Sequence, residues 1–289
     1  MKEEPYTMAS KTEDKKADIV VAPPANDQLP DYLRDQSFKP EDNFGSEDVF
    51  IPRIKLLQGL SPEIGSFPEA KVGDFWHGGA DVSLGTSFAF VIGDRRKKYL
   101  LSTPIADGQG VLARADDAMH WDRLGTWQVK LKDVKKPVTW TIADLSVEKS
   151  GLAGWGSGNP EDPDSTPAAT LFYDYLVMCV DQPDLGPAVI SLARSSIRKA
   201  KRELNPKIKL HLDAGRPMQA LKFIASSVDD MANNQPYKNW SFRASGFVGK
   251  ELFDQMRQYR GALANFKVQD EAAPETDASG TGDTGEGNF

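Results

Sequence analysis

The sequence predicts a mainly β body with a few helices, α+β by class, set between two acidic arms. Three observations carry this. Short apolar runs with period-two alternation recur from residue 73 to residue 248, separated by Gly, Pro, Asn and Asp. Helical spacing is confined to two stretches near 195–204 and 250–266. The charge is also divided unevenly. Residues 1–48 hold 6 Lys or Arg against 12 Asp or Glu, and 268–289 hold six acids and no base. That leaves 29 bases and 24 acids for 49–267, so the overall charge of −7 conceals a body of net +5.

Composition narrows the class further. No apolar run is long enough to span a bilayer, and the N-terminus lacks the apolar core of a secretory signal. A lone cysteine, Cys179, excludes an internal disulfide and agrees with a reducing cytoplasm, the expected location. With His77, His120 and His211 as the other soft ligands, a Cys/His zinc site is not expected, and no cofactor is.

Taken in order, residues 1–48 read as a disordered arm, apart from a short element at 29–36 (LPDYLRDQ). In 49–65 Phe50, Ile54, Leu57 and Leu60 face a core, but Pro52 and Pro62 predict irregular structure or a short helix. Strands are expected at 73–76, 86–93 and 136–145, and the basic run Arg95-Arg96-Lys97-Lys98 beside Tyr99 reads as a hairpin tip. The stretch 168–180 is apolar on both faces and predicts a central strand, paired as a hairpin with 187–194. Between them 151–167 is a Gly/Pro-rich loop that reads as a mobile flap. A helix capped by Ser195 or Ser196 runs to Leu204, where Asn205-Pro206 closes it. A second hairpin, 219–228 with 237–248, precedes a helix over 250–266 with Leu252, Met256, Tyr259 and Leu263 on one stripe. Many strands, a helix after the central hairpin and a C-terminal helix predict a partly open barrel of OB-like type over 49–267, followed by a disordered tail, 268–289.

The candidate interface combines cations with flat side chains, the two things an unpaired nucleic-acid strand requires. Arg194, Arg198, Lys201 and Arg202 fall on one arc of the first helix, with Lys199 beside them, offering a row of charges to a phosphate backbone. Tyr237, Lys238, Trp240, Phe242 and Arg243 lie on one strand, where Lys238, Trp240 and Phe242 share a face. Trp140 follows the basic run 130–136 and adds a further stacking surface. The competing reading of these aromatics is a buried core. In the tail, Asp277, Asp283 and Glu286 precede Phe289, which displays one aromatic ring and a carboxylate as a short linear ligand.

The tail, 268–289 with Phe289 at its end, resembles that of the single-stranded DNA-binding proteins of bacteria and tailed phages. The wording of 29–33 (LPDYL), 49–64 (VFIPRIKLLQGLSPEI) and 73–76 (GDFW) is similar to proteins of tailed phages. The resemblance implies an OB-fold body, sequence-independent binding of single-stranded DNA in replication or recombination, and a tail that recruits partner enzymes. It implies no catalysis. The body is longer than a minimal OB domain, and the tail acids are diluted with Gly, Ser and Thr.

Two other classes are weighed. One is a phage protein-interaction factor acting on host polymerase or defence machinery. The other is a metal-dependent nuclease using Asp116, Asp117, His120 and Asp122, where Asp116 and His120 would share a helix face. No phosphate-cradling loop is present, because the glycines of 151–160 lack the Lys-Ser/Thr that such a loop requires.

Overall fold

The computed structural model describes residues 50–104, 107, 110–131, 134–232, 234–261 and 267–268, with side chains described for 51–261 of these. In chain order the elements are β1 (Phe50–Ile51), β2 (Arg53–Leu56), α1 (Pro62–Ser66), β3 (Phe75–His77), β4 (Val82–Ser83) and β5 (Ser87–Ser102). There follow β6 (Val111–Ala115), β7 (Gly125–Val129), β8 (Val138–Ile142), α2 (Val147–Ser150), β9 (Ala169–Cys179) and β10 (Pro187–Ala193). The chain continues through α3 (Arg194–Lys199), α4 (Asn205–Asp213), β11 (Leu221–Ala232), β12 (Gln235–Phe247), α5 (Lys250–Gln258) and β13 (Lys267–Val268).

The protein is mainly β, with few helices. A nine-stranded sheet runs β12-β11-β5-β9-β10-β2-β3-β4, with β6 added to the free edge of β5. Its pairs are antiparallel except β10 with β2. The sheet curls into a half-barrel. Its concave side buries Phe88, Phe90 and Ile92 of β5 against Tyr175 and Val177 of β9, Ile190 of β10, Phe223 of β11 and Phe242 of β12. The curl brings β12 back toward the end of β2, where Gln58 accepts the Lys238 N–H (3.1 Å) and donates to the Lys238 carbonyl (2.9 Å).

β5 makes the curl possible. Its first half pairs with β11 and its second half with β6, while β9 runs along nearly all of it. The register shifts between Ile92 and Asp94, a bulge that bends the strand. Gly93 is a point of close approach there: a Cβ would stand 2.7 Å from Met256 Cε of α5, and that side chain would have to shift. Through Met256 and the partly buried Leu252, α5 covers Val91 and Met178 on the convex side.

Several expectations are corrected. Arg95–Lys98 is not a hairpin tip but the middle of a sixteen-residue strand. Alternation sends Arg95 and Lys97 to solvent while Arg96 and Lys98 meet Asp174, so the charges do not end the strand. The short helix expected within 49–65 is α1, but residues 50–56 are extended: Pro52 sits between two strands and its carbonyl accepts the Val189 N–H at 2.7 Å. Leu60 is exposed instead of core. The first helix is not closed at Pro206. It starts at Arg194 with no side-chain cap and widens to π geometry over Ala200–Leu204. It then continues through α4, where Pro206 sits in the first turn and no N–H is missed. The second hairpin is longer than expected, because Lys238 pairs with Asp229 (2.7 Å) and Asn239 with Asp230 (2.8 Å). The C-terminal helix stops at Gln258, and Leu263 lies outside the described residues.

The segment between β5 and β9 forms a second, smaller core. Trp121, Val129, Val138, Trp140, Ile142 and Leu152 pack together beneath Leu101 and Ala169. Its Gly/Pro-rich loop is laced internally: Gly156 and Gly158 donate to Ser165 and Thr166 carbonyls, and Asn159 N–H to Ser165 Oγ. No helix of the described residues is long and apolar enough to cross a membrane.

Candidate nucleic-acid interface

β5 and β9 together build the most promising surface. Past the bulge Arg95, Lys97 and Tyr99 stand opposite Tyr175, Tyr173 and Leu171 in register, so all six side chains share one face. Arg95 and Lys97 are exposed, Tyr99 is half-buried and Tyr175 is buried. The Lys97 ammonium lies 5.6 Å from the centroid of the Tyr173 ring. Tyr175 hydroxyl donates to Asn205 Oδ1 of α4 at 2.7 Å, and burial pushes its ionisation well above the ordinary range. Arg95, Lys97, Tyr99 and Leu171 line a cleft of about 540 Å³, whose opposite wall is the turn at Asp116–Met119.

That turn corrects the expected helix over the acids. Ala118 takes φ +59, and Asp117 accepts the N–H groups of Met119 and His120 at 2.7 Å each, with its second oxygen 2.7 Å from His120 Nδ1. Burial alone would raise the Asp117 pKa, but the hydrogen bonds from His120 and Met119 hold it below the usual carboxylate range. Asp116 instead approaches Arg96 at 3.8 Å. Among the described residues no three His, Cys, Asp or Glu side chains group closely enough to hold a metal ion.

The other face of the same strands carries a buried charge cluster that sequence reasoning missed. Asp174, fully buried within an otherwise apolar strand, meets Arg96 Nε and Lys98 Nζ at 3.2 Å each and accepts Ser191 Oγ at 2.6 Å. Burial would raise its pKa, but Lys98, Arg96, the serine and Arg53 outweigh that and keep the carboxyl below its ordinary value. Lys98 is itself only 1% exposed and lies over the Phe172 ring. The one signal was an Asp inside an apolar run; its partners lie too far along the chain for local patterning to find.

The expected cations of the first helix are divided by the structure. Arg194, Arg198 and Lys201 are exposed and make no ion pair among the described residues. Arg202 is exposed but tied to Glu203 at 2.9 Å, and Glu203 in turn accepts the Phe242 N–H (2.9 Å) and Ser241 Oγ (3.2 Å), capping the edge of β12. Lys199 is half-buried beside Glu203. On β12 Lys238 is half-buried and paired with Asp229, Tyr237 is half-buried and accepts from Asn239 at 3.3 Å, and Arg243 is exposed.

Three expected stacking platforms are corrected. Trp240 (6% exposed) and Phe242 (4%) do share a face, but it is the concave face of the half-barrel, where they stack on each other at 5.7 Å and Trp240 packs on Phe75. Trp140 (4%) belongs to the smaller core and donates its indole N–H to the Gly158 carbonyl at 3.1 Å. None of the three has a face open to a base. Trp155, 75% exposed on the glycine loop, is the most open aromatic of this region, while Tyr99 and Trp127 are half-buried against the smaller core. Asp277, Asp283, Glu286 and Phe289 lie outside the described residues.

Neither the curated proteins nor the solved structures contain a match to the chain. The family profile described as Pam3 phage gp34-like protein matches residues 23–269, which includes both cores and the cationic strip on β5. The chain therefore belongs to the Pam3 phage gp34-like protein family.

Proposed function

We propose that this protein binds single-stranded DNA without sequence preference in phage replication or recombination. The observation that carries the reading is the strip on β5, where Arg95 and Lys97 are exposed next to Tyr99 and Lys97 lies over the Tyr173 ring. Cations spaced along a groove hold phosphates, and tyrosine faces accept any base, which is the combination that sequence-independent strand binding uses. Phosphates are assigned to Arg95, Lys97, Arg198 and Lys201, with a base against Tyr99. The family's phage source is consistent with such a role.

The strand order supports an OB-like interpretation of the half-barrel. Five strands run β10-β9-β5-β11-β12, the first of them in sequence is long, bent and shared, and the helix falls between the third and fourth. OB barrels have five strands in Greek-key order and bind along their second and third. Here those are β9 and β10, with β2 inserted beside β10. On this reading the segment between β5 and β9 is an enlarged first loop, and the acidic tail ending in Phe289 recruits replication or recombination enzymes.

A titration of oligothymidylate against duplex at two salt concentrations tests the proposal. The expected result is preferential strand binding that weakens with salt, and a clear loss of affinity in an Arg95→Ala/Lys97→Ala variant of unchanged stability. Equal binding by that variant removes the strip from the interface, and no strand binding at any salt overturns the function.

A protein-interaction factor is the second reading, and one observation favours it. Met119, Leu124, Leu145 and Trp155 are all exposed on the segment between β5 and β9. Large exposed apolar side chains gathered on one segment suit a protein partner. That reading predicts capture of a partner that survives Arg95→Ala/Lys97→Ala and is lost on Trp155→Ala.

A further inference from the structure

A second cleft, of about 260 Å³, lies where the smaller core meets the β5–β9 strands, and among the described residues Arg194 is its one charged lining residue. That volume is near the lower end of small-ligand sites, which span roughly 300–1,000 Å³. Its walls are rich in hydroxyls: Ser102 at the end of β5, Thr170 on β9 and Thr166 on the glycine loop. None of these three hydroxyls makes a hydrogen bond among the described residues, so each is open to a ligand. The floor is fixed by Trp140, whose indole holds the Gly158 carbonyl. A Cβ at Gly158 would collide with the Thr166 carbonyl, so this wall depends on a glycine at the point of closest approach.

Arg194 is held in an unfavourable way. Its φ is +48, in the left-handed region where a side chain crowds the backbone, at a position that opens a helix. Glycine would sit there more easily. Arginine nevertheless occupies it, and it makes no ion pair among the described residues. Strained residues of this kind gather at ligand sites because the geometry that strains them also aims their side chains.

We propose that this cleft binds a phosphate group, with the Arg194 guanidinium as its cation and Ser102, Thr166 and Thr170 as hydroxyl donors. Planar guanidinium and oxyanion match as paired donors and acceptors, and hydroxyls complete the shell without adding charge. The phosphate is either that of a free nucleotide or one along a bound strand; the chemistry of recognition is the same. The proposal takes Arg194 out of the helical cation row but does not need the strand-binding reading to hold.

The test uses the full chain and three probes: inorganic phosphate, thymidine 5′-monophosphate and an oligothymidylate, each titrated by calorimetry. Arg194→Gly removes the cation while relieving the left-handed strain, so its melting temperature should equal or exceed that of the wild type. Its affinity for at least one probe should fall by about tenfold or more, the scale of one charge-assisted contact. Arg194→Lys should retain part of the binding, and Lys250→Ala, on the remote helix α5, should retain all of it. Loss with the monophosphate alone identifies a free nucleotide; loss with the oligomer alone identifies a strand phosphate. Binding of the monophosphate without the oligomer keeps the cleft and removes the strand reading. Unchanged binding of every probe by Arg194→Gly, or binding of none by the wild type, overturns the proposal.

Discussion

Gln58 meets Lys238 as if it were a residue of a neighbouring strand: its side-chain amide accepts the backbone N–H at 3.1 Å and donates to the backbone carbonyl at 2.9 Å. One carboxamide thus supplies the pair of hydrogen bonds that a β-ladder residue would. Gln58→Ala leaves both groups of Lys238 to find water. The expected cost is about 1–3 kcal/mol in urea unfolding. Gln58→Glu, which keeps the acceptor and loses the donor, should fall between.

Trp240→Ala is expected to act on stability and not selectively on ligand. The ring is packed on Phe75 and Phe242 within the half-barrel, and truncating a buried aromatic costs about 3–5 kcal/mol. Chemical denaturation should show that loss. If instead the variant unfolds at the wild-type midpoint and fails only to bind DNA, the placement of Trp240 in the core is wrong.

Asp174 makes acid stability readable. Its folded pKa lies below the ordinary carboxyl value, so its contribution is fully present above the unfolded value near 3.8 and disappears as pH falls through the lower folded one. Asp174→Asn removes the buried carboxylate that Lys98 and Arg96 share and should cost about 3–5 kcal/mol at pH 7. The deficit should shrink toward pH 3 in unfolding curves measured across pH 7 to 3, because the wild type loses there what the variant already lacks.

Cys179 is buried, and burial pushes its thiol up to about 12. A thiolate is the reacting species, so the folded protein should be inert to an aromatic disulfide reagent at pH 8. Reaction should follow global unfolding, with one equivalent released in denaturant.

Alternation along the chain carried much of the fold, and its limits are specific. It grouped Lys238, Trp240 and Phe242 on one face of a strand, which is where they are. It could not tell that this face is the inside, because a half-barrel has two apolar-lined sides and the choice depends on strands far away. The reverse happened on β5. Four consecutive cations look like a turn, yet the strand runs through them because Asp174, distant in sequence, lies opposite Arg96. Period two was present at Arg95, Lys97 and Tyr99 all along, but a charge run conceals it. The apolar run 168–180 was legible because both its faces are covered, and only its single Asp was unexplained.

The bulge at Ile92–Asp94 has a consequence for how this surface is inherited. Up to that point β5 must offer Phe88, Phe90 and Ile92 to the core, and beyond it must offer Arg95, Lys97 and Tyr99 to the tyrosines of β9. Because neighbouring side chains point opposite ways, dropping Asp94 or Arg95 would swing Arg96 and Lys98 outward, turn Lys97 toward Asp174 and carry Tyr99 to the other face. Substitutions can tune the strip one side chain at a time, but the spacing itself is locked. In this stretch the packing on both faces constrains the length more tightly than it constrains any one side chain.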